Sequence, residues 1–172
     1  YVRYRNVRVR EVAPDNTLSR RERELGWRML FDGRTLNGWT TDQGEPSKVP
    51  VDDGCIQPHG CGGYMMIHEQ PWGDFILSLD VKISEGCNSG VFVRTFPLTP
   101  FPGKSVGYNG IEFAIDDTQG AGYHDTGAIY DLVKPTRNAM RPPGEWNRVV
   151  ITCEGPIIAA ELNGEAVSRI DL

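Results

Sequence analysis

Asn88-Ser89-Gly90-Val91-Phe92-Val93-Arg94 and Gly110-Ile111-Glu112-Phe113-Ala114-Ile115-Asp116 are two strand-like runs in which charge sits among apolar residues. Burying a charge beside a core costs several kcal/mol unless it is paired or solvated. Side chains along a strand alternate in direction, so Asn88, Gly90, Phe92 and Arg94 are expected on one face and Ser89, Val91, Val93 and Thr95 on the other. In the second run Glu112, Ala114 and Asp116 oppose Phe113 and Ile115 in the same way. With Val91, Val93, Phe113 and Ile115 turned inward, Arg94, Glu112 and Asp116 look out from one sheet surface beside Phe92. A polar sheet face that carries an arginine, carboxylates and an aromatic has what a sugar-binding groove needs.

Working outward, strand and turn signals recur at short intervals: 27–31, 48–51, 54–57, 63–67, 74–84, 89–95, 108–116, 127–133, 146–153, 156–162 and 165–170. Such spacing predicts an all-β sandwich or barrel. Asn163-Gly164, between Ile157–Leu162 and Ala166–Ile170, predicts a two-residue hairpin turn, because both central positions of a type I′ turn need positive φ. Residues 2–12 alternate apolar and charged with one slip at Asn6, which predicts an edge strand with a bulge. Ser19 with Glu22 three residues on predicts a capping box for one short helix that stops at Gly26. Segments 96–107 and 134–145, rich in Pro, Gly and basic residues, are expected to be loops at the sandwich edge, where function often sits.

Composition narrows the partners. The chain has 172 residues, 20 of them Gly and 12 Pro, and a formal net charge of −5. That length favours one domain, and the turn-rich balance disfavours long helices. The negative charge argues against nucleic acid, and no apolar run approaches the roughly 18 residues of a membrane span. Four cysteines in no zinc-like spacing define neither a disulfide scaffold nor a metal site. Cys55 and Cys61 bracket a short loop and are a candidate pair in an oxidising compartment; Cys153, in an apolar strand, is expected to fill core.

Six motifs in order then acquire a joint meaning: Gly26-Trp27-Arg28-Met29-Leu30-Phe31-Asp32-Gly33-Arg34-Thr35-Leu36-Asn37-Gly38-Trp39, Asn88-Ser89-Gly90, Gly110-Ile111-Glu112, Thr126-Gly127-Ala128-Ile129-Tyr130, Gly144-Glu145-Trp146-Asn147 and Leu162-Asn163-Gly164. Together they resemble the 3-keto-disaccharide hydrolase domain family, over about residues 25–172. The resemblance implies a concanavalin/laminin-G-like antiparallel β-sandwich, or jelly roll, with a glycoside or oligosaccharide as its substrate. It also implies a bacterial protein in the periplasm or outside the cell. The sequence departs from the family at one point. An NVRIRE-like strand normally closes that domain after a segment resembling GxIGLQDHG, whereas here Arg5-Asn6-Val7-Arg8-Val9-Arg10-Glu11 comes first and the chain stops at Leu172. Residues 1–24 therefore look like a closing strand and short helix, followed by a sandwich over 25–172 that lacks its last strands. Tandem domains cut at an unusual place, a rearranged domain, and self-association by strand exchange through residues 2–12 each account for this; a strand that completes its own domain is the favoured expectation.

The chemistry turns on spacing. Displacement at a glycoside needs two carboxyl groups about 5–5.5 Å apart for retention or about 6.5–9.5 Å for inversion. Glu112 and Asp116, four residues apart on one strand, stand roughly 13 Å apart at about 3.3 Å per residue, so they cannot form that pair. A 3-keto sugar offers elimination instead, because the ketone acidifies the C2 proton. The reaction then needs a base, a cation for the enolate oxygen, and an acid for the leaving oxygen. Glu112 or His124 is the candidate base, Arg94 or Lys134 the cation, and Tyr130 or His124 the acid. Phe92, Asn88, Tyr108 and Asp116 are the candidate substrate contacts. No cofactor is expected, and His124-Asp125 without clustered partners does not define a metal site.

Each of these residues also has a plainer role: Arg94 with Glu112 as a cross-strand ion pair, Asp116-Asp117-Thr118-Gln119-Gly120 as a turn, Asn88-Ser89-Gly90 as backbone geometry, and Trp27, Trp39 and Trp146 as packing anchors. A non-catalytic glycan-binding or self-assembling module is the alternative to an enzyme. Convergence of His124 and Lys134 with the face that carries Arg94 and Glu112 separates the two.

Overall fold

The computed structural model describes residues 16–58, 65–96 and 109–172. The strand expected over 2–12, the exchange built on it, Tyr108 and Cys61 lie outside these residues. The chain falls into two compact units that divide at Gln70.

In the first unit, α1 (Arg20–Glu24) carries the expected capping box: Glu22 N donates to Ser19 Oγ at 3.2 Å and Ser19 N to the Glu22 carboxylate at 2.7 Å. Four two-residue strands follow, β1 (Trp39–Thr40) paired with β4 (Ile67–His68), and β2 (Val51–Asp52) with β3 (Cys55–Ile56). The strand expected over 27–31 does not form. Instead, the Asp32 carboxylate accepts from the backbone N–H groups of Arg34 and Thr35 and from the Thr35 hydroxyl, and so folds the chain into a turn. Trp39 is an anchor here: its indole N–H donates to Leu30 O at 2.7 Å and its ring meets His68 edge-on at 5.1 Å.

The second unit is an antiparallel sandwich. One sheet runs β10 (Glu165–Asp171), β9 (Ile157–Leu162), β8 (Trp146–Glu154), β5 (Phe75–Lys82). The other pairs β6 (Asn88–Val93) with β7 (Ile111–Asp116). Strict alternation in β8 sends Asn147, Val149, Ile151 and Cys153 inward. There they meet Val93, Phe113 and Ile115 from the second sheet, with Ile129, Leu162 and Val167, in one core. Large apolar side chains buried on both inner faces are what hold two such sheets together. The Asn163-Gly164 turn is present, with φ of 55° and 83°.

Trp146 departs from the expected anchoring role. It stands on the outer face of β8 with 44% of its surface exposed, and Lys82 Nζ lies 4.9 Å above its ring. The strand expected over 127–133 is also absent. Ile129 and Val133 exchange backbone hydrogen bonds of 3.0 and 2.8 Å around Asp131, whose φ is +58°. The left-handed residue turns the chain back on itself, so pairing with β7 is a short one around Ile129, which bridges to Phe113, and stops at Tyr130.

Candidate active site

Register sets the site. Phe92 lies opposite Glu112, Gly90 opposite Ala114 and Asn88 opposite Asp116. On the other side of β7, Tyr130 N donates to Glu112 O at 2.9 Å and Ala114 N to Ala128 O at 3.0 Å. Residues opposed across an antiparallel ladder share a face, so Phe92, Glu112 and Tyr130 form a row across three adjacent segments on the face away from the core.

Glu112 is the unusual member of the row. It is half-buried, and among the described residues its carboxylate has no hydrogen-bond or ion-pair partner. Burial pushes its pKa above the ordinary 4.5, because a charge loses hydration there without compensation. Room for its carboxyl comes from β6: a Cβ added to Gly90 would collide with Glu112 Oε1 and lie 2.7 and 2.8 Å from its Cδ and Cγ.

The loop after β7 brings the other groups to the same end of the row. The His124 ring stacks on Tyr130 with centroids 4.5 Å apart and planes 19° from parallel. His124 Nε2 lies 2.6 Å from Asp131 Oδ1. Lys134 Nζ sits 4.8 Å above the Tyr123 ring, and Asp131 N donates to Tyr123 O at 3.2 Å. Tyr123, His124, Tyr130 and Asp131 are all exposed, so the loop offers one polar, aromatic surface.

Arg94 is not in the row. At φ +53° it leaves the strand conformation, and its guanidinium turns to the sheet end. There it donates to Gly73 O at 2.6 Å, Gly155 O at 2.7 Å and Asp74 Oδ1 at 3.0 Å. The ion pair expected with Glu112 is therefore replaced by one with Asp74. The Arg94 hydrogen bond, followed by one from Gly155 N, lowers the Asp74 pKa below the ordinary carboxylate value. Asp116 is committed as well: its Oδ1 accepts from Thr126 N at 2.9 Å and lies 3.0 Å from the buried Thr126 hydroxyl, which also accepts from Asp116 N at 2.7 Å. Asn88 is exposed at the end of β6.

Three participants were not legible as such in the sequence. Asp131 was hidden because a histidine's partner seven residues away on a loop follows no periodicity. Thr126 was read only as part of a motif, and Gly90 only as a strand-face position that serves backbone geometry. The signal available for Gly90 was its place mid-strand, where glycine marks a close approach. Among the described residues, no cluster of three or more His, Cys, Asp or Glu side chains has the arrangement of a metal site, and no helix is long and apolar enough to cross a membrane.

The class that the fold defines is an all-β antiparallel sandwich, here with the half-buried Glu112 on an aromatic, polar sheet face. The chain belongs to the 3-keto-alpha-glucoside-1,2-lyase-like domain family, which it matches over residues 26–172. It is 27% identical over 175 residues to a 3-keto-disaccharide hydrolase of Bacteroides thetaiotaomicron, a match that covers 86% of this chain and 59% of that protein. The chain thus spans about three fifths of that relative's length. A crystal structure of a candidate glycosyl hydrolase from Parabacteroides distasonis shares the fold, with a TM-score of 0.75 at 24% identity, covering 91% of this chain and 77% of the other. A second one from the same organism aligns with a TM-score of 0.52 at 31% identity over 62% of this chain and 55% of its own.

Proposed function

We propose that this domain cleaves 3-keto glycosides by elimination across C1 and C2, with water adding afterwards where the outcome is hydrolysis. The observation that carries the reading is Glu112: a half-buried carboxylate without a partner among the described residues, its pKa raised by burial, directly opposite a tyrosine. A carboxylate prepared in this way is suited to take a carbon-bound proton made acidic by a neighbouring ketone. Among the described residues, the carboxylates near Glu112 are engaged elsewhere, Asp116 with Thr126 and Asp131 with His124, which favours the enolate route over ordinary two-carboxylate displacement.

In the proposed sequence, Glu112 removes the C2 proton and the electron pair forms a C2=C3 enolate with charge on O3. Lys134, which no carboxylate pairs among the described residues, supplies the positive charge for that oxygen; Arg94 is spent on Asp74. The enolate then reforms the C3 ketone as a C1=C2 double bond forms and the C1–O bond breaks. Tyr130 or His124, stacked ring on ring, gives its proton to the departing oxygen. Addition of water at C1 and return of a proton to C2 completes net hydrolysis. Phe92 offers an apolar surface to the sugar ring. A periplasmic or extracellular location goes with this reading and rests on the family resemblance alone.

The test is release of the aglycone from a chromogenic 3-keto glucoside, with the parent glucoside, which has a hydroxyl at C3, as the control. Turnover of the ketone only is expected. Binding without release from either compound would favour the glycan-binding module, and equal release from both would reject the enolate route.

A further inference from the structure

Gly90 sits in the middle of β6, opposite Ala114, with no positive φ to explain a glycine there. Glycine inside a strand sacrifices side-chain packing and backbone entropy, so its presence calls for a neighbour that needs the space. That neighbour is the Glu112 side chain from the adjacent strand. The three atoms nearest to a Cβ built on Gly90 are all from Glu112: Oε1, in frank collision, then Cδ at 2.7 Å and Cγ at 2.8 Å. Real Cβ contacts do not come this close, so any larger residue at position 90 must displace the carboxyl group.

We infer that Gly90 is a positioning residue for the reaction: its missing side chain forms the seat in which the Glu112 carboxylate lies across β6 and is held, without a hydrogen bond, in its half-buried pose. Several features fit this role. The seat has strand backbone as its floor and Phe92 beside it, so it shields the carboxylate from water without neutralising it. It also explains how a carboxylate with no hydrogen-bond partner is held in one place, since steric confinement takes over the work of a bond. The raised pKa of Glu112 follows from the same confinement. This inference rests on Glu112 acting as the base, but the seat itself is a statement about structure and is tested separately.

The experiment is a double-mutant cycle of Gly90→Ala and Glu112→Ala, read by thermal unfolding, together with a titration of the Glu112 carboxyl carbon by NMR in the wild type and the G90A variant. In G90A the carboxyl is expected to leave its seat for water, so its titration midpoint moves down toward the ordinary carboxylate range. The kcat on a 3-keto glucoside is expected to fall about 10²-fold, as misplacement by about 1 Å does, and the acid limb of kcat/KM to move down with the midpoint. In the Glu112→Ala background, Gly90→Ala is expected to lose most of its effect on the melting temperature, because the collision is gone. Should G90A alone fail to fold, recovery of folding in the double variant supports the seat equally. An unchanged Glu112 titration in G90A, or the same destabilisation with and without the Glu112 side chain, overturns it. A wild type without turnover would remove the catalytic reading while the titration and the cycle still decide the seat.

Discussion

Glu112→Gln is expected to lower kcat on a 3-keto glucoside by about 10²–10⁴-fold, the usual contribution of a positioned general base, while leaving the fold intact. Glutamine keeps the volume that fills the seat on Gly90 and removes only the basicity. Because the carboxylate makes no hydrogen bond or ion pair among the described residues, no bond is lost with it. The pH dependence follows from the direction of the shift. Burial raises the Glu112 pKa above 4.5, so the wild-type kcat/KM should fall on the acid side through an apparent value above 4.5, as the base takes up its proton. The variant should lack that limb.

The same shift has a stability consequence of opposite sense to an ordinary salt-bridged carboxylate. With its pKa higher in the folded state than in the unfolded chain, the folded state binds the proton more tightly. The benefit is complete below the unfolded value and is lost as pH rises through the folded one. At neutral pH the glutamine variant should therefore melt at or slightly above the wild type. Turnover within a factor of two of the wild type would remove Glu112 from the mechanism.

The largest stability effect is expected at Asn147. Its side chain is fully buried and closes a polar network: Oδ1 accepts from Arg141 N and Asn163 Nδ2, both at 2.8 Å, and Nδ2 donates to Glu145 O at 3.1 Å. Asn163 extends the network, donating to Ala139 O at 2.8 Å and accepting from Arg148 N at 2.9 Å. Two carboxamides thus tie the loop before β8 to the β9–β10 turn. Asn147→Leu preserves volume but leaves an N–H, a carbonyl and an amide hydrogen without their partners in a part-buried site, each costing about 1–3 kcal/mol where water cannot replace the lost bond. A loss of about 3 kcal/mol or more is expected, a fall in melting temperature of roughly 6–12 °C for a chain of this size. A fall below about 2 °C would mean that the network does not secure the loop.

What the sequence reveals and what it hides divides by range. Local rules found the Ser19–Glu22 capping box, the Asn163-Gly164 turn, the strand segments of β5 and β8 and the two faces of β7, because each depends on residues close in the chain. The resemblance located the family because its six motifs mark turns and strand ends whose backbone geometry constrains residue type. The fate of Arg94 was not legible, since one residue at φ +53° ends the period-2 pattern and swings the guanidinium to Asp74, twenty residues earlier in the chain. Asp131 misled the reading of 127–133 in the same way. Asn147 and Asn163 appeared in motifs, yet that the two carboxamides bond to each other is a fact of tertiary register. Gly90 required the pairing of β6 with β7 before its missing side chain had a meaning.

The central claim is that chemistry starts with removal of the C2 proton by Glu112, and the most direct test is a 3-keto glucoside carrying deuterium at C2. The account predicts slower turnover of the deuterated compound by the wild type, or exchange of the label into solvent, with neither seen in Glu112→Gln at matched times. Glycoside cleavage by the wild type that retains all deuterium at C2 and shows no isotope effect would contradict it.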